Sequence, residues 1–131
     1  TMKLFKGTKE GVEDGMQMRD FVYVKDAAAI VCHFLMTALN GKPTVSGIYN
    51  VGTGIARSFK NLATTVMTSM GREPDITYID MPEDLQGKYQ YFTEANMRKL
   101  RAAGYTDNFY SLEDGVKDYV QNYLMQEDRY C

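Results

Sequence analysis

An α/β fold with an incomplete sheet is what this sequence predicts, and three observations lead to it. Four stretches place apolar residues at helical spacing behind a capping side chain. Three or four short β-prone runs lie between them, and glycine or asparagine punctuates the joins. A complete doubly wound sheet uses about six strands alternating with helices. The strands here are too few, so the chain reads as α+β in isolation and as a piece of an α/β protein otherwise.

Residues 7–18 are rich in glycine and charge and read as a loop. Residues 21–24 form a β-prone run. Asp26 is then placed to cap a first helix, where Ile30, Val31, Phe34, Leu35, Ala38 and Leu39 recur at helical spacing. Asn40 and Gly41 end it, and Pro43 blocks continuation. Residues 47–51 read as a strand and Gly52-Thr53-Gly54 as a turn. Ser58 caps a second helix reaching about Met70, with Gly71 as its stop. Residues 76–79 are a strand. Thr93 is expected to cap a third helix across Met97 and Leu100, closed by Gly104. Ser111 caps the fourth, whose Leu112, Val116, Tyr119, Val120, Tyr123 and Leu124 make one apolar stripe. Such a stripe normally buries against a neighbouring element.

At 131 residues the chain is one domain at most. Its formal net charge of -2 leaves no cationic stripe for a nucleic acid. The one basic cluster, Arg98-Lys99-Leu100-Arg101, reads as a solvated helix face. No apolar run approaches the ~20 residues that cross a bilayer, and no signal peptide is recognisable. A cytoplasmic location is therefore expected, with Cys32 and Cys131 as free thiols.

Catalytic groups are sparse. His33 is the only histidine and has no clustered ligands that would complete a zinc site. The run from Gly52 to Arg57 sits where a dinucleotide fingerprint would, but its sixth position is Arg57 rather than glycine or alanine. It reads as a turn followed by an N-cap. None of the ten tyrosines has a lysine four residues on, the helical spacing at which lysine can lower a phenol pKa for proton exchange with a substrate hydroxyl. Tyr23 and Lys25 are two apart, so no catalytic residue is assigned.

More specific is the run Arg19-Asp20-Phe21-Val22-Tyr23-Val24-Lys25-Asp26, which resembles the R-D-F-V-Y-V-x-D signature of extended short-chain dehydrogenases acting on nucleotide sugars. Gly47-Ile48-Tyr49-Asn50-Val51-Gly52-Thr53-Gly54 is similar to the N-x-G-x-G strand end that follows in that superfamily. Three further runs resemble segments of its epimerases of ADP-linked glycero-manno-heptose. They are Lys3-Leu4-Phe5-Lys6-Gly7-Thr8, the stretch from Leu85 to Thr93 (LQGKYQYFT), and Leu100-Arg101-Ala102-Ala103-Gly104-Tyr105. The resemblance extends from Lys3 to about Leu124.

It implies that residues 1–131 are one carboxy-terminal, substrate-binding (cap) region, with the Rossmann half absent from this chain. The activity implied is an isomerase that inverts C6 of an ADP-heptose, a lipopolysaccharide core precursor. NADP would be held by the amino-terminal domain and by no residue here, and the full-length protein would be a homo-oligomer. The partner implied is the ADP-sugar, with neither nucleic acid nor membrane. This chain alone is expected to be inactive.

The same resemblance assigns substrate binding to Phe5, Lys6, Gly7, Thr8, Arg19 and Tyr89. Arg19 suits a pyrophosphate, since a guanidinium donates directionally; its structural alternative is a pair with Asp20 or another carboxylate. Tyr89 offers a ring and a hydroxyl, Phe5 an apolar face for the base, and Gly7 a close backbone approach; the structural alternatives are surface packing for Tyr89 and a strand end and turn for residues 5–8. The sequence departs from the pattern at Lys6, where an acidic residue is usual, and in a longer loop after Thr8. A UDP- or dTDP-sugar enzyme of the same superfamily and a stand-alone binding module remain the alternatives.

Overall fold

The computed structural model describes residues 1–41 and 46–128. Pro43 and Cys131, expected as a helix stop and a free thiol, lie outside the described residues.

Two two-stranded sheets and four α-helices form the described fold. Strand β1 (Met2–Phe5) pairs in parallel with β4 (Ile76–Ile79), Met2 opposite Ile76 and Phe5 opposite Ile79. A parallel pair needs a long crossover, and the two remaining strands and two helices supply it. Strands β2 (Met18–Arg19) and β3 (Arg57–Ser58) pair antiparallel.

Helix α1 (Val24–Leu39) starts inside the run expected as a strand. Residues 21–23 are only an extended lead-in, because no strand among the described residues lies beside them. Their side chains are held instead: Phe21 meets Phe59 edge-on at 5.5 Å and Tyr23 meets Tyr110 at 5.2 Å. Tyr23 occupies the N-cap position without a side-chain capping bond, so Asp26 is not the cap. Asp26 is buried one turn in, where it accepts the Tyr110 amide hydrogen at 3.1 Å. Burial pushes its carboxyl above the ordinary range, and that hydrogen bond only partly offsets it. The helix ends as expected at Asn40, with Gly41 at φ 67°.

Residues 47–51 are not a strand either, for the same want of a partner. Tyr49 packs on Phe34 at 5.6 Å, and the Lys99 ammonium donates to the Ile48 carbonyl at 2.6 Å while lying over the Tyr49 ring. Helix α2 (Phe59–Ser69) has the expected Ser58 cap: Ser58 accepts from the Asn61 amide, and the Asn61 side chain accepts from Ser58. Helix α3 (Arg98–Ala102) is shorter than expected and is not capped by Thr93. Asn96 accepts the Arg98 amide hydrogen, whereas the Thr93 amide donates to Met18. Helix α4 (Leu112–Tyr119) is capped by Ser111 and widens into a π-helical turn at Val120–Leu124.

The core is small. Ile30, Leu100 and Tyr105 are buried, with Phe34, Tyr49, Met97 and Phe109 packed around them. His33 adds ring contacts to Phe34 and Tyr105 and so packs as a structural aromatic. Arg98 to Arg101 do not form a purely solvated face. Leu100 is core, and Arg101 donates to the carbonyls of Tyr105 and Asp107 with its guanidinium over Phe109. The α4 stripe is only partly covered: Val120 is buried, but Tyr119 and Leu124 are 45% and 44% exposed. Cys32 is a free, exposed thiol. No helix among the described residues is long and apolar enough to cross a membrane.

One polar knot fastens the start of α1 to α4. Asp118 accepts from Lys25 at 2.6 Å, Tyr23 at 2.5 Å and Asn122 at 2.8 Å. Those hydrogen bonds, from Lys25 first, hold its carboxyl down at about 2. A depressed folded pKa stabilises above the unfolded value of about 3.9 and ceases to as pH falls through the folded one. Asp118→Asn should therefore be less stable than the parent near neutrality. Chemical unfolding followed from pH 7 downward should show the gap closing as pH falls from about 4 to about 2. Ser58→Ala should cost about 1 kcal/mol in the same assay, because it removes the α2 cap.

Candidate functional site

Strand β2 is two residues long, yet it is flanked on both edges. On one edge is β3; on the other, the Met18 amide donates to the Tyr91 carbonyl at 2.8 Å and the Thr93 amide to the Met18 carbonyl at 3.3 Å. This pairing brings the segment that contains Tyr89 alongside the strand that contains Arg19.

The Arg19 guanidinium lies 5.1 Å from the Tyr89 ring and 5.8 Å from the Phe59 ring, with Nη1 donating to the Met18 carbonyl at 2.7 Å. Among the described residues no ion pair includes Arg19, so the alternative pairing with Asp20 is not formed. Tyr89 in turn meets Phe5 edge-on at 6.0 Å. Three of the six residues assigned from sequence, Phe5, Arg19 and Tyr89, thus come together. The cavity of about 170 Å³ beside them, lined by Lys3, Leu4, Phe5, Gln17, Phe59 and Tyr89, admits one ring. Whole-ligand pockets run to roughly 300–1,000 Å³, so this cavity is too small to enclose a whole nucleotide sugar.

The other three face different partners. Lys6 pairs with Asp80 at 2.9 Å, and that contact raises its pKa. Gly7 folds tightly onto its own loop: a Cβ there would lie 1.8 Å from the Val12 carbonyl oxygen, so only glycine fits. Its amide donates to Asp14 at 2.9 Å. Thr8 is hydrogen-bonded to the Tyr91 hydroxyl, one ring away from Tyr89.

Two residues here escape a sequence reading. Gln17, 2% exposed, donates to the Lys6 carbonyl at 3.0 Å and the Phe5 carbonyl at 3.4 Å, pinning the start of the loop. Asp20 accepts four hydrogen bonds: from the Thr53 amide at 2.7 Å, the Thr53 hydroxyl at 2.6 Å, the Gly54 amide at 2.9 Å and the Ala95 amide at 3.0 Å. Burial alone would raise its carboxyl, but the bonds from Thr53, Ala95 and Gly54 outweigh it and hold the group below the ordinary range. A Cβ on Gly52 would sit 2.4 Å from this carboxylate, so the glycine turn is shaped around Asp20. The signal was present in the motif, but not the partner. Arg57, next along, forms a two-pronged ion pair with Glu113.

Tyr23 and Lys25 meet at Asp118, with the ammonium over the Tyr23 ring. Burial and the hydrogen bond to Asp118 push the phenol up to about 12. A phenolate base needs the opposite shift. A larger cavity of about 530 Å³ is mainly apolar, lined by Phe21, Val22, Leu62 and Val116 among others, with Tyr23, Tyr110, Ser111 and Tyr119 also in its wall.

No protein-family model matches the chain. It is 53% identical over 135 aligned residues to an ADP-L-glycero-D-manno-heptose-6-epimerase of Fusobacterium nucleatum, covering 98% of this chain and 39% of that protein. The chain therefore spans about two-fifths of the length of the curated relatives it matches. Among solved structures, the Helicobacter pylori ADP-L-glycero-D-manno-heptose-6-epimerase superposes with a TM-score of 0.63 at 30% identity, over 82% of this chain and 30% of that one. A Bacillus anthracis dTDP-glucose 4,6-dehydratase in complex with NAD gives 0.65 at 20% identity, over 94% and 34%, a likeness of fold alone. By sequence the chain is similar to about two-fifths of the length of the ADP-L-glycero-D-manno-heptose-6-epimerases, consistent with their carboxy-terminal part, and its fold matches a part of the extended short-chain dehydrogenases.

Proposed function

We propose that this chain is the substrate-binding part of an epimerase that inverts C6 of ADP-glycero-manno-heptose. The observation that carries the reading is Arg19: a permanent cation with no carboxylate paired to it among the described residues, steered by the rings of Tyr89 and Phe59 beside Phe5. With Nη1 engaged by the Met18 carbonyl and the group held against two rings, the remaining donors of the guanidinium suit a pyrophosphate. Phe5 and Tyr89 then form an apolar and aromatic wall for the adjoining base or sugar, with the Tyr89 hydroxyl as a polar contact. Thr8 extends that wall through Tyr91. Lys6 and Gly7 act indirectly, by fixing the ends of the loop that presents Phe5.

NADP, held by an amino-terminal Rossmann domain of a longer, homo-oligomeric cytoplasmic protein, would supply the transient oxidation. The described residues of this chain do not fit that cofactor. The Thr53 and Gly54 amides that would face a phosphate are engaged by Asp20, and Arg57 replaces the small residue that close helix packing needs. One face of α1 supports a further layer against it: Val31, Leu35 and Leu39 are 67%, 55% and 70% exposed, opposite buried Ile30.

Three measurements test this. In the full-length enzyme, Arg19→Ala should raise KM for the ADP-sugar about 10- to 100-fold, the worth of a charged hydrogen bond, and leave kcat nearly unchanged, since the pyrophosphate does not alter during reaction. A fall in kcat at constant KM would refute the role. ADP-heptose should raise the melting temperature of the full-length protein more than UDP- or dTDP-sugars do; equal shifts would remove the substrate assignment. The purified chain alone should show no epimerisation, and measurable turnover would overturn the division of labour.

A further inference from the structure

Asp20 is the point where three separate stretches of chain converge, and it adjoins Arg19. Its Oδ1 takes both donors of Thr53, and its Oδ2 takes the amides of Gly54 and Ala95. The bond to Ala95 continues a pairing already begun by the backbone. Met18 bonds to Tyr91 and Thr93, and two residues further along both stretches the Asp20 side chain bonds to Ala95. One stretch contains Arg19 and the other Tyr89. The carboxylate thus sets the register between them.

We propose that Asp20 is a positioning residue for substrate binding: by locking the Arg19 strand to the segment of Tyr89, it holds the guanidinium over the Tyr89 ring and directed at the pyrophosphate. This rests on the reading of Arg19 given above. Gly52 belongs to the same device, since any side chain there would collide with the Asp20 carboxylate and with Ala95 Cβ, 2.4 Å and 2.6 Å away. Glu94 reinforces it by accepting the Ala56 amide hydrogen at 3.0 Å, tying the same segment to the residue before β3.

Asp20→Asn is the sharp probe. Asparagine has one acceptor oxygen, so whichever way the amide is turned its NH₂ faces hydrogen-bond donors that now lack a partner. In the full-length enzyme this variant should raise KM for the ADP-sugar by about tenfold with kcat within about twofold, the effect of a misdirected rather than absent charge. Amide hydrogen exchange at Gly54 and Ala95, or at Thr53 for the opposite rotamer, should accelerate. The decisive measurement is the double-mutant cycle. If Asp20 acts through Arg19, Asp20→Asn should change KM by less than about twofold once Arg19 is alanine.

Multiplicative effects in the cycle, or an unchanged KM for Asp20→Asn beside a raised one for Arg19→Ala, overturn the inference and leave the role of Arg19 standing. An unchanged KM for Arg19→Ala overturns the role itself and the inference with it. If Asp20→Asn does not fold, Thr53→Val removes the hydroxyl donor alone, and the same cycle is run with it. A KM rise that vanishes in the Arg19→Ala background supports the positioning role, and any other pattern refutes it.

Discussion

A single carboxylate, that of Asp20, joins parts of the chain that the small core does not reach. Removing a charge from water is costly unless hydrogen bonds replace its hydration. Here four donors do so, from residues 33 to 75 positions away in sequence. The buried core of Ile30, Leu100 and Tyr105 joins α1 to α3 and the residues after it. It does not reach β2 or the segment around Tyr89. Those are ordered by the two-residue pairing of β2, by Met18, and by Asp20. Short strands contribute few ladder bonds, so a charged acceptor with four partners weighs heavily against them.

That arrangement explains which elements are legible in the sequence. Ser58 and Ser111 cap helices because capping is settled within one turn, by a side chain and an amide three residues on. Gly41 and Gly71 end helices by a local positive φ. A strand, by contrast, is defined by its neighbour. Residues 21–23 and 47–51 have the composition of strands and no partner among the described residues, whereas Met18-Arg19, with no strand signal, pairs on both edges. Thr93 is not a cap because its stretch pairs with Met18 and α3 begins only at Arg98, beyond reach of its side chain.

The site divides along the same line. Arg19, Tyr89 and Phe5 are legible through motifs, and the fold brings them within ring contact of one another. Lys6 is not, since its partner Asp80 lies 74 residues away at the far end of β4 and no local pattern announces it. Gln17 reads as an ordinary polar loop residue, and only its burial against two carbonyls reveals what it holds. The glycines at 52 and 54 invite a phosphate reading from spacing alone. The two amides of that turn face a carboxylate from the chain itself, the same physics with an internal anion.

An internal anion also separates binding from chemistry. On the reading proposed above, Arg19, Phe5 and Tyr89 would meet parts of a ligand that do not change as bonds are made and broken, so their contribution would be the same in the ground and transition states. Interactions of that kind set KM and leave kcat to groups elsewhere. Such a set can be retuned for another base or sugar without touching the reacting centre, provided the frame beneath it stays rigid. Asp20 and Gly52 belong to the frame and Tyr89 to the wall. Changes in the frame move every ligand contact together, whereas changes in the wall alter one. On that reading, selectivity among nucleotide sugars would vary at Phe5, Thr8 and Tyr89, over close-packed Gly7 and a Gly52–Asp20 joint that leave almost no room.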